Sequence, residues 1–238
     1  MFRFALLAAT AALVACGGGG SSPAPVANAS AEGIWNGTAS TGAQVSMVIL
    51  ENGETWGLYS SSGVIVGALF GNTTVSGSTA SGSGSDFNLV TRTVAAGTFT
   101  GTAVTKSSLS LTTSLGTKLN ATYDSTYDQT PSMAALAGTY SGQAVTAKTA
   151  AQTTSVTISS TGALSSVGVG CTATGTVTPR PTGKNIFNVS VSFAGTACAL
   201  GNGASTTGVG YFNPVTRQLL SIALNGSKSD GFIYLGAR

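Results

Sequence analysis

Few side chains in this 238-residue chain could do chemistry: three cysteines (Cys16, Cys171, Cys198), seven carboxylates and not one histidine. Without histidine the chain lacks the commonest general base and the commonest metal ligand, so a Ser-His-Asp or Cys-His centre and an ordinary zinc site are excluded. The carboxylates are what is left. Glu51 and Glu54 bracket Asn52-Gly53, where they could hold a cation or act as the paired acids of glycoside hydrolysis. Hairpin tips are normally polar and solvated and no third acid lies near in sequence, so a solvated turn is the expectation. Tyr123-Asp124 and Tyr127-Asp128 repeat one dipeptide. Calcium there would need six or more oxygens, whereas a strand end followed by a polar joint between domains needs nothing more. With Asp86, these acids define the alternative function, a carboxylate-dependent envelope hydrolase. The leading expectation is a chain that catalyses nothing, needs no cofactor and holds no metal.

The elements that would position these groups begin with an export signal. Met1-Phe2-Arg3 is a basic start, and Phe4 to Val14 is uncharged and apolar. That run falls short of the roughly 20 residues that cross a bilayer and fits a secretory leader. Leu13-Val14-Ala15-Cys16 resembles the lipobox of bacterial lipoproteins. The resemblance implies cleavage before Cys16, a diacylglycerol on its sulfur and an acylated amino group, with several chains needed for stable anchoring. Gly17 rather than Asp follows the cysteine, which in lipoproteins of the enterobacterial type implies onward transport to the outer membrane. The run from Gly17 to Ala31, Gly/Ser-rich with two prolines, reads as a tether.

With Cys16 lipidated, Cys171 and Cys198 remain as an even pair in an oxidising compartment, which implies a structural disulfide. Their neighbours are Gly, Thr and Ala, with no cation to lower a thiol pKa, so a reactive pair is disfavoured. Charged residues make up 7% of the chain, against about 25% in ordinary soluble domains. Ten basic and seven acidic residues are scattered without runs, which leaves no footprint for nucleic acid.

Beyond the tether the pattern is β throughout. Period-2 alternation recurs at Val45, Met47 and Ile49, and at Val189, Val191 and Phe193, punctuated by Gly and Asn-Gly. One short helix is expected after Thr130-Pro131, ending at Ala137-Gly138. Around it the chain repeats itself. Gly33-Ile34-Trp35 finds a counterpart in Gly138-Thr139-Tyr140, and Met47-Val48-Ile49 with Gly53 in Val156-Thr157-Ile158 with Gly162. Phe87-Asn88-Leu89 likewise matches Phe187-Asn188-Val189.

The two Gly-x-aromatic openings resemble the first strand of lipocalins and avidins, where an aromatic closes the base of an eight-stranded barrel. The resemblance implies small barrels plugged by Trp35 and Tyr140, or a barrel enclosing one small apolar ligand. The plug is the preferred reading, because aromatics that could line a cavity are few. Trp56 and Tyr59, beside Gly57, could stack on a sugar or sit half-buried in a hairpin.

The expected organisation is therefore a leader (1–15), a lipidated Cys16 with tether (16–31), a first β-barrel (32–128), a connector (129–137) and a second β-barrel with the disulfide (138–238). The expected class is all-β with tandem antiparallel barrels of about eight strands, held at the outer membrane by lipid. An unknown protein, glycan or small ligand is the expected partner.

Overall fold

In the computed structural model, which describes residues 27–238, two closed antiparallel barrels follow one another along the chain. The first comprises β1 (Gly33–Ala39), β2 (Gln44–Ile49), β3 (Glu54–Ser61), β4 (Val64–Ser76), β5 (Thr79–Asn88), β6 (Thr93–Val104), β7 (Ser108–Thr113) and β8 (Lys118–Asp124). The second comprises β9 (Gly138–Thr146), β10 (Gln152–Ile158), β11 (Ala163–Gly168), β12 (Cys171–Pro179), β13 (Phe187–Ala194), β14 (Ser205–Asn213), β15 (Gln218–Leu224) and β16 (Gly231–Ala237). Each strand pairs with the next and the last closes on the first, so the fold is all-β and tandem, as the strand spacing predicts. Closure removes the edge strands that an open sheet of this length would expose. The expected leader and Cys16, with the tether as far as residue 26, lie outside the described residues.

Alternation decides which way each side chain points. On β13, Phe187, Val189 and Val191 are buried inside the barrel, while Asn188, Ser190 and Ser192 face out opposite Thr178, Thr176 and Thr174 of β12. That outer wall of hydroxyls meets water. Among the described residues no helix is long and apolar enough to cross a membrane.

The internal repeat is visible in the strand register. Trp35 lies opposite Met47 and Gly33 opposite Ile49; in the second barrel Tyr140 lies opposite Val156 and Gly138 opposite Ile158. Both aromatics are fully buried, and each donates a hydrogen bond to a carbonyl four residues back. Trp35 Nε1 reaches Ala31 O at 2.7 Å and Tyr140 Oη reaches Leu136 O at 2.5 Å. Gly53 and Gly162 turn the following hairpins at φ +84° and +87°, a region that glycine enters without steric cost. Their carbonyls accept from Thr73 N and Val177 N, each on the fourth strand of its barrel, at 2.8 Å. The third sequence match does not survive. Phe87 stands at the end of β5 and faces out of its barrel, whereas Phe187 opens β13 and faces in.

Two corrections concern the edges of elements. The helix is a single turn, Met133–Leu136, capped by Ser132, whose Oγ accepts from Ala135 N, rather than by Thr130. The end of the stretch read as tether belongs to the folded body. Ala31 is buried in the first barrel, Ala29 N donates to Gly77 O and Asn28 Oδ1 accepts from Gly77 N.

Where alternation fails, the strands are buried on both faces. Val48, Trp56, Leu58, Ala68 and Phe87 project outward from the first barrel and pack against Val209, Ile222, Leu224 and Ile233 of the second. Polar bonds reinforce this joint: Arg180 to Glu51 at 2.5 Å, Lys184 to Asp128 at 2.7 Å, and Thr126 Oγ1 with Tyr211 Oη at 2.6 Å. The two barrels therefore share one continuous apolar interface.

Candidate functional site

The sequence-derived candidates do not converge on a single site. Glu51 and Glu54 flank the turn as expected, but Glu51 is bonded to Arg180 of the other barrel. Burial pushes the Glu51 carboxyl up, and the Arg180 bond and charge together with a backbone hydrogen bond outweigh it, leaving the pKa below the usual range. Asp86 Oδ1 accepts from Tyr59 Oη at 2.7 Å inside the first barrel. Burial first, then that carboxylate, pushes the Tyr59 phenol well above its ordinary range. Asp124 accepts from Thr126 and Asn36, and caps the 3-10 turn Ser125–Asp128. Asp128 accepts from Lys106 at 2.8 Å, Lys184 at 2.7 Å and Tyr123 at 2.9 Å. Those two ammonium groups hold its carboxyl far below the usual range. Glu51, Asp86, Asp124 and Asp128 are engaged in structural pairs, and among the described residues no three His, Cys, Asp or Glu side chains converge as metal ligands would.

The aromatic candidates are divided between three environments. Trp35 and Tyr140 sit at the bases of their barrels. Trp56 and Tyr59 point to opposite faces of β3: Trp56 is buried in the joint, edge-on to Phe70 at 4.5 Å, and Tyr59 faces into the first barrel. Neither ring presents a face to solvent on which a sugar could stack.

What the spacing of residues did not reveal is a difference between the two interiors. In the first barrel Trp35, Met47, Leu109, Leu111 and Leu119 form a buried cluster with Tyr59, Phe99 and Tyr123 packed on it. The Tyr59 ring lies against Gly67 and the Phe99 ring against Gly82, where any added Cβ would clash. Inward glycines here make room for aromatic rings, and the interior is filled.

The second barrel is filled only in its lower half, by Tyr140, Val156, Phe187, Val189 and Phe212. Above them the inward positions are small: Ala144 on β9, Thr154 on β10, Ser166 on β11, Ala173 on β12 and Ser221 on β15. The result is a cavity of about 190 Å³. Ala144, Leu164, Ala173, Phe193 and Phe232 keep partial solvent exposure although they face inward, so the cavity is open at its upper end. The loop from Gly195 to Ala204 crosses that end and contributes Ala197, Ala199 and Leu200 to the lining. It is fastened by the Cys171–Cys198 disulfide, with an S–S distance of 2.02 Å and a sequence separation of 27. The pairing is the one implied by the cysteine count.

The lining contains no Asp, Glu, Lys or Arg. Its one phenol, Tyr234, donates to Tyr140 O at 2.9 Å, and burial pushes its pKa up to about 12. It is neutral at any physiological pH. The chamber presents hydroxyls, an amide and aromatic edges, and among its lining residues no nucleophile stands beside a base.

No protein family model matches the chain, and no curated protein does. Among solved structures it is similar to Transferrin Binding Protein B. A single-site mutant of that vaccine antigen from Haemophilus parasuis Hp5 shares 8% identity at a TM-score of 0.31, with 82% of this chain and 66% of that chain covered. Intact Ap-TbpB, with its N and C lobes, shares 9% at a TM-score of 0.29, covering 82% and 66%. A double mutant of the Haemophilus parasuis Hp5 antigen shares 8% at 0.29, covering 82% and 65%. The chain thus spans just under two thirds of the length of these structures.

Proposed function

We propose that this chain is a non-catalytic binding protein of the bacterial envelope, anchored through lipid on Cys16, whose ligand site is the open interior of the second barrel. The observation that carries the reading is the contrast between the interiors. A chamber of about 190 Å³ lined without charge stands in one barrel, fused through a continuous apolar joint to a barrel that is packed solid. The first barrel then serves as the mount: its base receives the chain arriving from the tether, through the bonds of Asn28 and Ala29 to Gly77.

Two measurements test the reading. Cys16→Ser should move the protein from the membrane fraction to the soluble one, and retention in the membrane would refute the anchor. Native mass spectrometry of the full chain extracted from producing cells should show a small molecule that is released on unfolding and lost in Ala173→Leu, which fills the chamber. An adduct that persists in a folded Ala173→Leu protein would place binding elsewhere.

A further inference from the structure

We infer that the second barrel is built for a compact, uncharged aromatic molecule carrying a hydroxyl or amide on one edge. This deepens the reading that the second barrel is the binding site and rests on it. Three observations carry it: size, the distribution of polarity and the absence of charge.

Size comes first. An apolar void of about 150 Å³ accepts benzene, so a chamber of about 190 Å³ admits one ring with one or two substituents. A long acyl chain or an oligosaccharide would not fit. The walls differ in character. Phe193 of β13 and Phe232 of β16 meet edge to face at 6.0 Å and, with Val191, offer an apolar side to a planar ring. Across the chamber, Gln152 and Thr154 of β10 and Ser166 of β11 bring an amide and two hydroxyls. No side-chain hydrogen bond among the described residues engages those three, whereas Thr146, Ser221 and Tyr234 are already bonded to protein partners. Thr154 and Ser166 are half-buried and Gln152 is exposed, so a polar ligand edge would engage groups that no other side chain holds. Charge is the third point. With no ionised side chain in the lining, a carboxylate or ammonium on the ligand would be desolvated without a counter-charge, which is strongly unfavourable.

The test is isothermal titration of the full mature chain in detergent with three probes of similar size: 4-hydroxybenzamide, toluene and benzoate. The expected result is one equivalent of 4-hydroxybenzamide bound at least tenfold more tightly than toluene or benzoate. Thr154→Val combined with Ser166→Ala should weaken 4-hydroxybenzamide at least fivefold and leave toluene unchanged or tighter. Ala144→Leu, or Ala173→Leu should that variant not fold, should abolish binding of all three. If toluene binds the native protein as tightly as 4-hydroxybenzamide, the polar-edge assignment is wrong while the site stands. Tightest binding of benzoate overturns the assignment of an uncharged ligand. If no probe binds, or binding survives in a folded chamber-filling variant, the ligand class and the binding site fall together.

Discussion

The two barrels share a strand count, a register and a plug, yet one is solid and the other has a chamber. Both begin with a glycine near φ +150° and an aromatic that bonds four residues back to the incoming segment. Their bases are thus closed in the same way, and the difference lies above the plug. The first barrel sets Tyr59 and Phe99 over inward glycines. In the second, alanines, serines and a threonine occupy much of the upper layer and a disulfide-held loop spans the opening. An eight-stranded barrel has an interior just wide enough for side chains to fill it. A few large-to-small choices in one layer therefore suffice to change a scaffold into a container.

The comparison can be broken or sharpened at several points. The largest effect is expected at the shared plug. Trp35→Ala should cost about 3 to 5 kcal/mol in urea unfolding, because it removes a fully buried indole from a packed interior. A loss under about 1 kcal/mol would mean that the first barrel is not solid. Next comes the strap of the second barrel. Replacing both Cys171 and Cys198 by Ser should lower stability by about 3 to 4 kcal/mol in the chain-entropy model for a loop closed across 27 residues. The same change should speed probe exchange, read by NMR line shape, while the first barrel's resonances stay put.

A paired overpacking experiment is smaller in size and more telling. Ala80 faces into the filled barrel and is fully buried, so Ala80→Leu should destabilise by about 1 to 3 kcal/mol. Ala144→Leu projects into the chamber and should cost less than about 0.5 kcal/mol or raise the melting temperature. Equal costs would erase the distinction between the interiors.

The smallest effect is electrostatic and belongs to the joint. Asp128 has its folded pKa lowered by Lys106 and Lys184. Its contribution is therefore fully present above the unfolded aspartate value of about 3.9 and is lost as pH falls through the lower folded value. Melting temperature should not respond to Asp128 between pH 5 and 8, and Asp128→Asn should flatten the decline below about pH 4. Because the lysines are partly solvated, the effect is modest and screened by salt.

Much of the architecture is legible in the residues. Turn glycines such as Gly53 and Gly162, and alternation such as Val189, Val191 and Phe193, are local signals that hold wherever the strand lies. The joint was also written in the chain, as places where alternation lapses: Met47-Val48-Ile49-Leu50 and Leu219-Leu220 with Ile222-Ala223-Leu224 read as continuous apolar runs because both faces are covered. The third repeat match misled because Phe87 and Phe187 share a local context but differ in which face their strand position presents. The chamber itself was not legible. Which inward residues share a layer depends on the stagger of strands around the barrel, so Ala144, Ser166 and Ala173 become neighbours of one space only after closure.

The most direct measurement is a crystal structure of the protein under xenon pressure, since xenon enters apolar voids of this scale. The account predicts xenon beside Val191, Phe193 and Phe232 in the second barrel and none inside the first. Xenon inside the first barrel, or in neither, would contradict it.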